Sequence, residues 1–93
     1  MAYDVYVDKK RALSISISDH EKFVQSMLSL ASSGLFQRLA DPYKDAKIYR
    51  AEYDEYIHLL EKLYITTSDA TAQKLFRLIS DRIDSEFISF IGD

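Results

Sequence analysis

Apolar and polar residues alternate at the start of the chain. Tyr3, Val5 and Val7 point one way and Asp4, Tyr6 and Asp8 the other; after the polar stretch "DKKR", Leu13, Ile15 and Ile17 alternate with Ser14 and Ser16. A period of two on both sides of a short polar break predicts a β-hairpin with one apolar face that needs a cover. From Ser18 the period lengthens. "SDHE" has the form of a capping box, with Ser18 as N-cap and Glu21 reaching back to it. Phe23, Met27, Leu30 and Ala31, widened by Val24 and Leu28, then make a helical stripe, and "SSG" closes the helix with Gly34 as a left-handed cap.

"LFQRLADPY" predicts a short helical turn carrying Leu35, Phe36 and Leu39, with Asp41-Pro42 either ending it or opening the next helix. Ala46, Tyr49, Tyr53, Tyr56, Leu60 and Leu63 recur at spacings of three and four. They predict a second long helix that starts somewhere between Tyr43 and Arg50. A last helix is expected over "TTSDATAQKLFRLISDRI", capped within Thr66 to Ser68, with Ala72, Leu75, Phe76, Ile79 and Ile83 inward. In the tail, Phe87 and Phe90 could extend that helix, yet "FISFI" is rich in β-formers and stops at Gly92. A strand over residues 86–91 is favoured, because a third strand helps a hairpin bury its apolar face.

These elements predict an α+β fold in a single domain, residues 1–93, with about three helices on one face of a small antiparallel sheet. Its expected core is Leu13, Ile15, Ile17, Phe23, Met27, Leu60, Leu63, Phe76 and Ile79.

Composition narrows the function classes. The chain has 47% hydrophobic residues, 29% charged, two Gly and one Pro, which is ordinary globular usage. No apolar run approaches the roughly 20 residues that span a bilayer, and "MAYDVYVDKK" is not a secretory signal. Cysteine is absent, which excludes disulfides, thiolate metal sites and cysteine nucleophiles; a cytoplasmic location is expected. The net charge of −3 speaks against nucleic acid as a ligand. Residues 1–47 carry seven Lys/Arg and six Asp/Glu, residues 48–93 five and nine. The acidic second half is either a solvated face or a surface offered to a basic partner.

Little in the sequence suggests catalysis. Ser18, Asp19 and His20 are the residue types of a hydrolase triad, but consecutive residues of a helix point about 100° apart and cannot converge on one reacting atom. His58 lies four after Asp54 and three before Glu61, yet only one other imidazole exists to complete a metal set. His20, at a helix start, is expected on the surface. Asp54/Glu55 and Asp81/Asp84 read as surface charge, and Gly34 and Gly92 stand too far apart for a phosphate-cradling loop. No catalytic residue, metal site or cofactor is therefore assigned. Seven tyrosines remain. Most, including Tyr49, Tyr53 and Tyr56 on one helix face, read as packing, while Tyr6 is the best exposed aromatic.

The order of features carries a resemblance. "YDVYVDKKRALSISISDHEKF" is a hairpin running into a capped helix, followed by "GLFQRLADPYKDAKIYRAEYDEYIHLLEKL" and a closing "FISFIGD". This arrangement, with its "DPYKDA" segment before "EYDEYIHLLEKL", resembles the small immunity proteins of bacterial polymorphic-toxin and contact-dependent growth inhibition systems, over most of the chain. The resemblance implies an intracellular, non-enzymatic protein that binds one cognate toxin domain. No family residue set transfers onto these positions, so the partner-binding candidates come from the residues themselves: Tyr6 of the hairpin, with Glu52, Asp54 and Glu55 on the polar side of the second long helix. Against a basic nuclease those carboxylates would stand in for phosphates. Two other readings stay open: a structural or regulatory module that homodimerises through the tyrosine stripe, and a small enzyme or ligand-binding domain using His58, which would need a deep pocket.

Overall fold

The computed structural model describes residues 2–29, 39 and 45–92. In chain order the elements are β1 (Ala2–Val7), β2 (Lys10–Ser16), α1 (Ile17–Ser29), β3 (Ala46–Tyr49), a 3-10 turn (Arg50–Glu52), α2 (Tyr53–Thr67), α3 (Ala70–Asp81) and β4 (Phe87–Gly92). The architecture is α+β, with an antiparallel sheet in the order β2-β1-β4-β3. The predicted hairpin and the strand in the tail are both present. β4, however, does not add at an edge: it lies between β1 and β3.

The alternation read from the hairpin sets the two faces. Val5 stands opposite both Leu13 and Phe90, Tyr3 opposite Ile15, and Ile88 opposite both Val7 and Ile48. On this face Tyr3, Val5, Ile15, Ile48, Ile88 and Phe90 are buried in one cluster with Phe23, Met27, Tyr53, Tyr56, Leu60, Leu63, Leu75 and Ile79 from the three helices. One irregularity matters for the other face. Strict alternation back from Leu13 would send Arg11 inward. Instead the register shifts between Val5 and Tyr6, so that Tyr6 faces Arg11, and the extra residue of this bulge turns a charged side chain outward while Leu13 stays in.

Several local expectations need correcting. α1 begins two residues earlier than "SDHE" suggests, because the Ser16 hydroxyl, not Ser18, accepts the Asp19 N–H at 3.1 Å. Ile17 is thus the first helical residue, not the end of the strand. That start places His20, Phe23 and Met27, at spacings of three and four, on the inward face. His20 is accordingly 1% exposed and not on the surface. Its Nε2 sits 2.6 Å from the Leu39 carbonyl oxygen, and its ring meets Tyr3 edge-on at 4.9 Å.

The second long helix does not start between Tyr43 and Arg50. Ala46–Tyr49 is an edge strand pairing with β4, and α2 starts at Tyr53. The spacing 46, 49, 53, 56 suits a helix, but Ala46 and Ile48 also fit a period of two, and pairing with β4 satisfies their backbone groups. Arg50 fixes the change of direction. Its main-chain N–H donates to Glu86 O at 3.0 Å, its Nε to Ser85 O at 2.9 Å and its Nη2 to Asp84 O.

At the far end, Thr66 and Thr67 belong to α2, so the cap of the last helix is not within Thr66 to Ser68. Ser68 terminates α2 in the left-handed region, its N–H reaching Tyr64 O at 2.7 Å. Asp69 caps α3, one carboxylate oxygen accepting Ala72 N–H at 2.9 Å while the other accepts the Ser26 hydroxyl at 3.0 Å. One side chain thereby ties α1 to the α2–α3 joint.

Of the expected core, Ile15, Phe23, Met27, Leu60, Leu63 and Ile79 are buried, whereas Leu13, Ile17 and Phe76 are half-buried. Ile83 lies beyond the end of α3 and is exposed. Leu30, Ala31, Gly34, Leu35, Phe36 and the Asp41-Pro42 step lie outside the described residues; Leu39 is fully buried. Among the described residues no helix is long and apolar enough to cross a membrane.

Candidate protein-binding surface

The sheet has a second face, built from the alternate positions of the same strands. Tyr6 stands opposite Ser89, and Ser89 opposite Lys47; Tyr49 stands opposite Phe87, and Asp4 opposite Ile91. Cross-strand neighbours lie about 4.5–5.5 Å apart and diagonal ones about 7–8 Å. Tyr6 and Phe87 are therefore diagonal neighbours and Phe87 and Tyr49 direct ones, so the three aromatics run across three strands. Tyr49 is 54% exposed and Ile91 38%, while Tyr6 and Phe87 are half-buried. Lys47 lies over the Phe87 ring, its Nζ 4.8 Å from the centroid. Asp4 accepts the Ser14 hydroxyl at 2.8 Å and lies 3.7 Å from the Arg11 guanidinium. Large, partly exposed aromatic side chains amid paired charges are the surface composition that protein partners use.

From Tyr49 the chain passes directly into the acidic segment. Glu52 belongs to the 3-10 turn and not to the polar side of α2. Its Oε1 accepts the Tyr49 N–H at 3.2 Å, so this carboxylate fastens the strand-to-turn step and is half-buried. Asp54 and Glu55 occupy the first turn of α2 and are exposed. The helix dipole favours carboxylates there whether or not a partner is present. A shallow concavity lined by Asp45, Ala46, Lys47, Tyr49 and Glu52 joins the strand to the acidic turn. Glu52 thus shares this concavity with Tyr49, and Asp54 and Glu55 follow within three residues of it in the chain. Tyr6 lies on the open sheet face, on the strand beyond β4.

The tyrosine stripe is split between two environments. Tyr53 and Tyr56 are fully buried on α2, and Tyr49 points outward from β3. Only Tyr49 of the three is offered to another molecule. The Ser85 hydroxyl donates to Arg82 O at 2.6 Å, so the Tyr53 hydroxyl, 2.7 Å from Ser85 Oγ, is the donor in that contact. Burial holds the Tyr53 phenol above its ordinary value of 10.0, against the pull of the nearby Arg50 cation. A phenol kept neutral and spent on tying α2 to the segment before β4 is structural.

His58 is exposed on α2, and among the described residues no group of three or more His, Asp or Glu side chains is placed to hold a metal ion. Lys47, Tyr49, Phe87 and Ile91 were missed as surface residues. Alternation in "AKIY" and "EFISFI" was the available signal, and it became decisive only once β3 was known to pair with β4. The chain matches no family model, no curated protein and no solved structure.

Proposed function

We propose that this chain is a non-catalytic immunity protein, which binds one cognate toxin domain inside the cell that makes it. The observation carrying this reading is the exposed Tyr49, with Phe87 and Tyr6 beside it on the open sheet face and Glu52 in the same concavity, followed at once in the chain by the exposed Asp54 and Glu55. Tyrosine supplies large contact area at low entropic cost, the role it plays in interface hot spots. Adjacent carboxylates give such a surface a sign, and a basic toxin such as a nuclease would be steered to it where it otherwise meets phosphates. Of the acids, Asp54 and Glu55 steer the encounter most freely. Glu52 contributes charge while its carboxylate stays occupied at the turn.

The experiment is affinity capture of the tagged protein from its native lysate, followed by binding kinetics with the protein retained. One partner held in stoichiometric amount through high salt is expected. Asp54→Lys with Glu55→Lys should then slow association about tenfold at low ionic strength and less at high. Tyr49→Ala should speed dissociation, also by about tenfold or more. A captured toxin whose association and dissociation rates ignore all three substitutions would remove this surface from the interface.

A further inference from the structure

We propose a second binding site at the hairpin end of the sheet, for an acidic peptide segment that carries an apolar side chain. A concavity of about 790 Å³ lies there between the β1–β2 turn and the end of α3, within the size range of ligand sites. Its rim carries Lys9, Lys10, Arg11 and Arg82, and its apolar floor is formed by Val7, Leu78 and Phe87. Four cations converge on one concavity in a chain whose net charge is −3.

The cations are available. Lys9, Lys10 and Arg82 are exposed, and among the described residues no carboxylate pairs with them. Arg11 alone is shared, at 3.7 Å from Asp4. Two carboxylates belong to the same concavity. That of Asp8 accepts the backbone N–H groups of Glu86 and Phe87, at 2.9 and 3.3 Å, which leaves it turned toward the main chain. Glu86 also lines it and is exposed, so the lining sets four cations against two carboxylates.

The combination selects the occupant. A cationic rim over an apolar floor matches a segment with two or three carboxylates around one apolar residue. A long polyanion would have to run past Glu86 and past Asp81 and Asp84, both exposed on either side of Arg82 in the sequence, and like charge there opposes it. The site shares Phe87 with the open sheet face, but none of Tyr49, Glu52, Asp54 and Glu55 lines it, and it does not rest on the toxin reading.

The test is fluorescence anisotropy with a fluorescein-labelled eight-residue peptide holding three glutamates around one phenylalanine, titrated with the full chain at low ionic strength. Saturable binding is expected. It should weaken at least about tenfold in Lys10→Glu with Arg82→Glu, and severalfold when the peptide phenylalanine is replaced by serine. Both substituted side chains are exposed, so an unchanged thermal melt shows that the fold survives. Asp54→Lys with Glu55→Lys should leave peptide binding unreduced, which separates this site from the toxin surface. Three results overturn the proposal: no saturation up to about 1 mM protein, equal binding by the charge-reversed variant, or tighter binding of an eight-nucleotide oligo-dT than of the peptide.

Discussion

Asp8 joins two parts of the chain that are almost its full length apart, and its contribution can be dissected by three substitutions. It is the first residue of the β1–β2 turn, with φ of 54°. Its N–H donates to Phe87 O at 3.0 Å, and its Oδ1 accepts Glu86 N–H at 2.9 Å and Phe87 N–H at 3.3 Å. Replacing it by alanine removes both side-chain bonds and places a Cβ-bearing residue without a compensating polar group in the left-handed region. Bonds to a charged acceptor contribute about 1.5–3 kcal/mol when shielded. These are exposed, so about 1.5 kcal/mol for the pair is the reasonable figure. The left-handed conformation adds about 1 kcal/mol for alanine, giving about 2.5 kcal/mol in all.

Glycine accepts the backbone angle but makes no side-chain bond, so Asp8→Gly should lose about 1.5 kcal/mol, its relief of strain offset by greater freedom in the unfolded chain. Asparagine keeps an acceptor and tolerates the left-handed region, so Asp8→Asn should lose less than about 1 kcal/mol. Urea unfolding read by circular dichroism gives the order, and thermal melts give its size at about 4–8 °C per kcal/mol for a domain this small. The expected order of destabilisation is alanine, glycine, asparagine. If glycine proved as stable as asparagine, the carboxylate bonds to β4 would contribute nothing and this account of the turn would fail. If glycine proved as damaging as alanine, the backbone argument would fail instead.

Two further predictions concern buried polar groups. His20→Ala opens space beside Tyr3 and strands the Leu39 carbonyl, for a loss of about 2–4 kcal/mol in urea unfolding, whereas His20→Phe keeps the ring and abandons only the carbonyl, for about 1–2 kcal/mol; a phenylalanine variant as stable as the parent would show that the bond at 2.6 Å adds nothing. Tyr53 should make the fold sensitive to alkali. Its phenol is raised in the folded state, so above about pH 10 the unfolded chain releases this proton first and stability falls as pH rises further, the contribution being fully present at neutral pH. Tyr53→Phe should flatten that part of the melting-temperature profile between about pH 9 and 11, and a profile parallel to the parent's would sink the assignment.

What could be read from the sequence followed from how far each signal depended on distant residues. The hairpin and the α2 stripe from Tyr53 to Leu63 declare themselves through local periodicity, and both formed as expected. Ala46–Tyr49 satisfies two periods at once, and the decision between helix and strand is made by β4, some forty residues later. His20 failed for a different reason. It sits at helical spacing from Phe23 and Met27, but a polar residue type outweighed its position, and the acceptor that makes its burial possible is Leu39 O. The acidic candidates were locatable in part. Asp54 and Glu55 are exposed as their helix positions imply, while Glu52 is engaged by a turn whose existence depended on β3 ending at Tyr49.

β4 explains why fold and surface stand or fall together. Ile88 and Phe90 go into the core, while Phe87, Ser89 and Ile91 form the middle of the open face. The small Ser89 separates Tyr6 from Lys47, and Lys47 reaches across to the Phe87 ring. The residues just before the strand are held from both sides, Glu86 by Asp8 and by the main chain of Arg50, and Ser85 by Arg50 and Tyr53. Without β4, β3 would have no strand to pair with and Tyr49 no fixed position. The position of Tyr49, and with it the proposed partner surface, therefore depends on contacts made by β4. The proposed binding surface is therefore complete only when β4 is in place, with its Ile88 and Phe90 in the core.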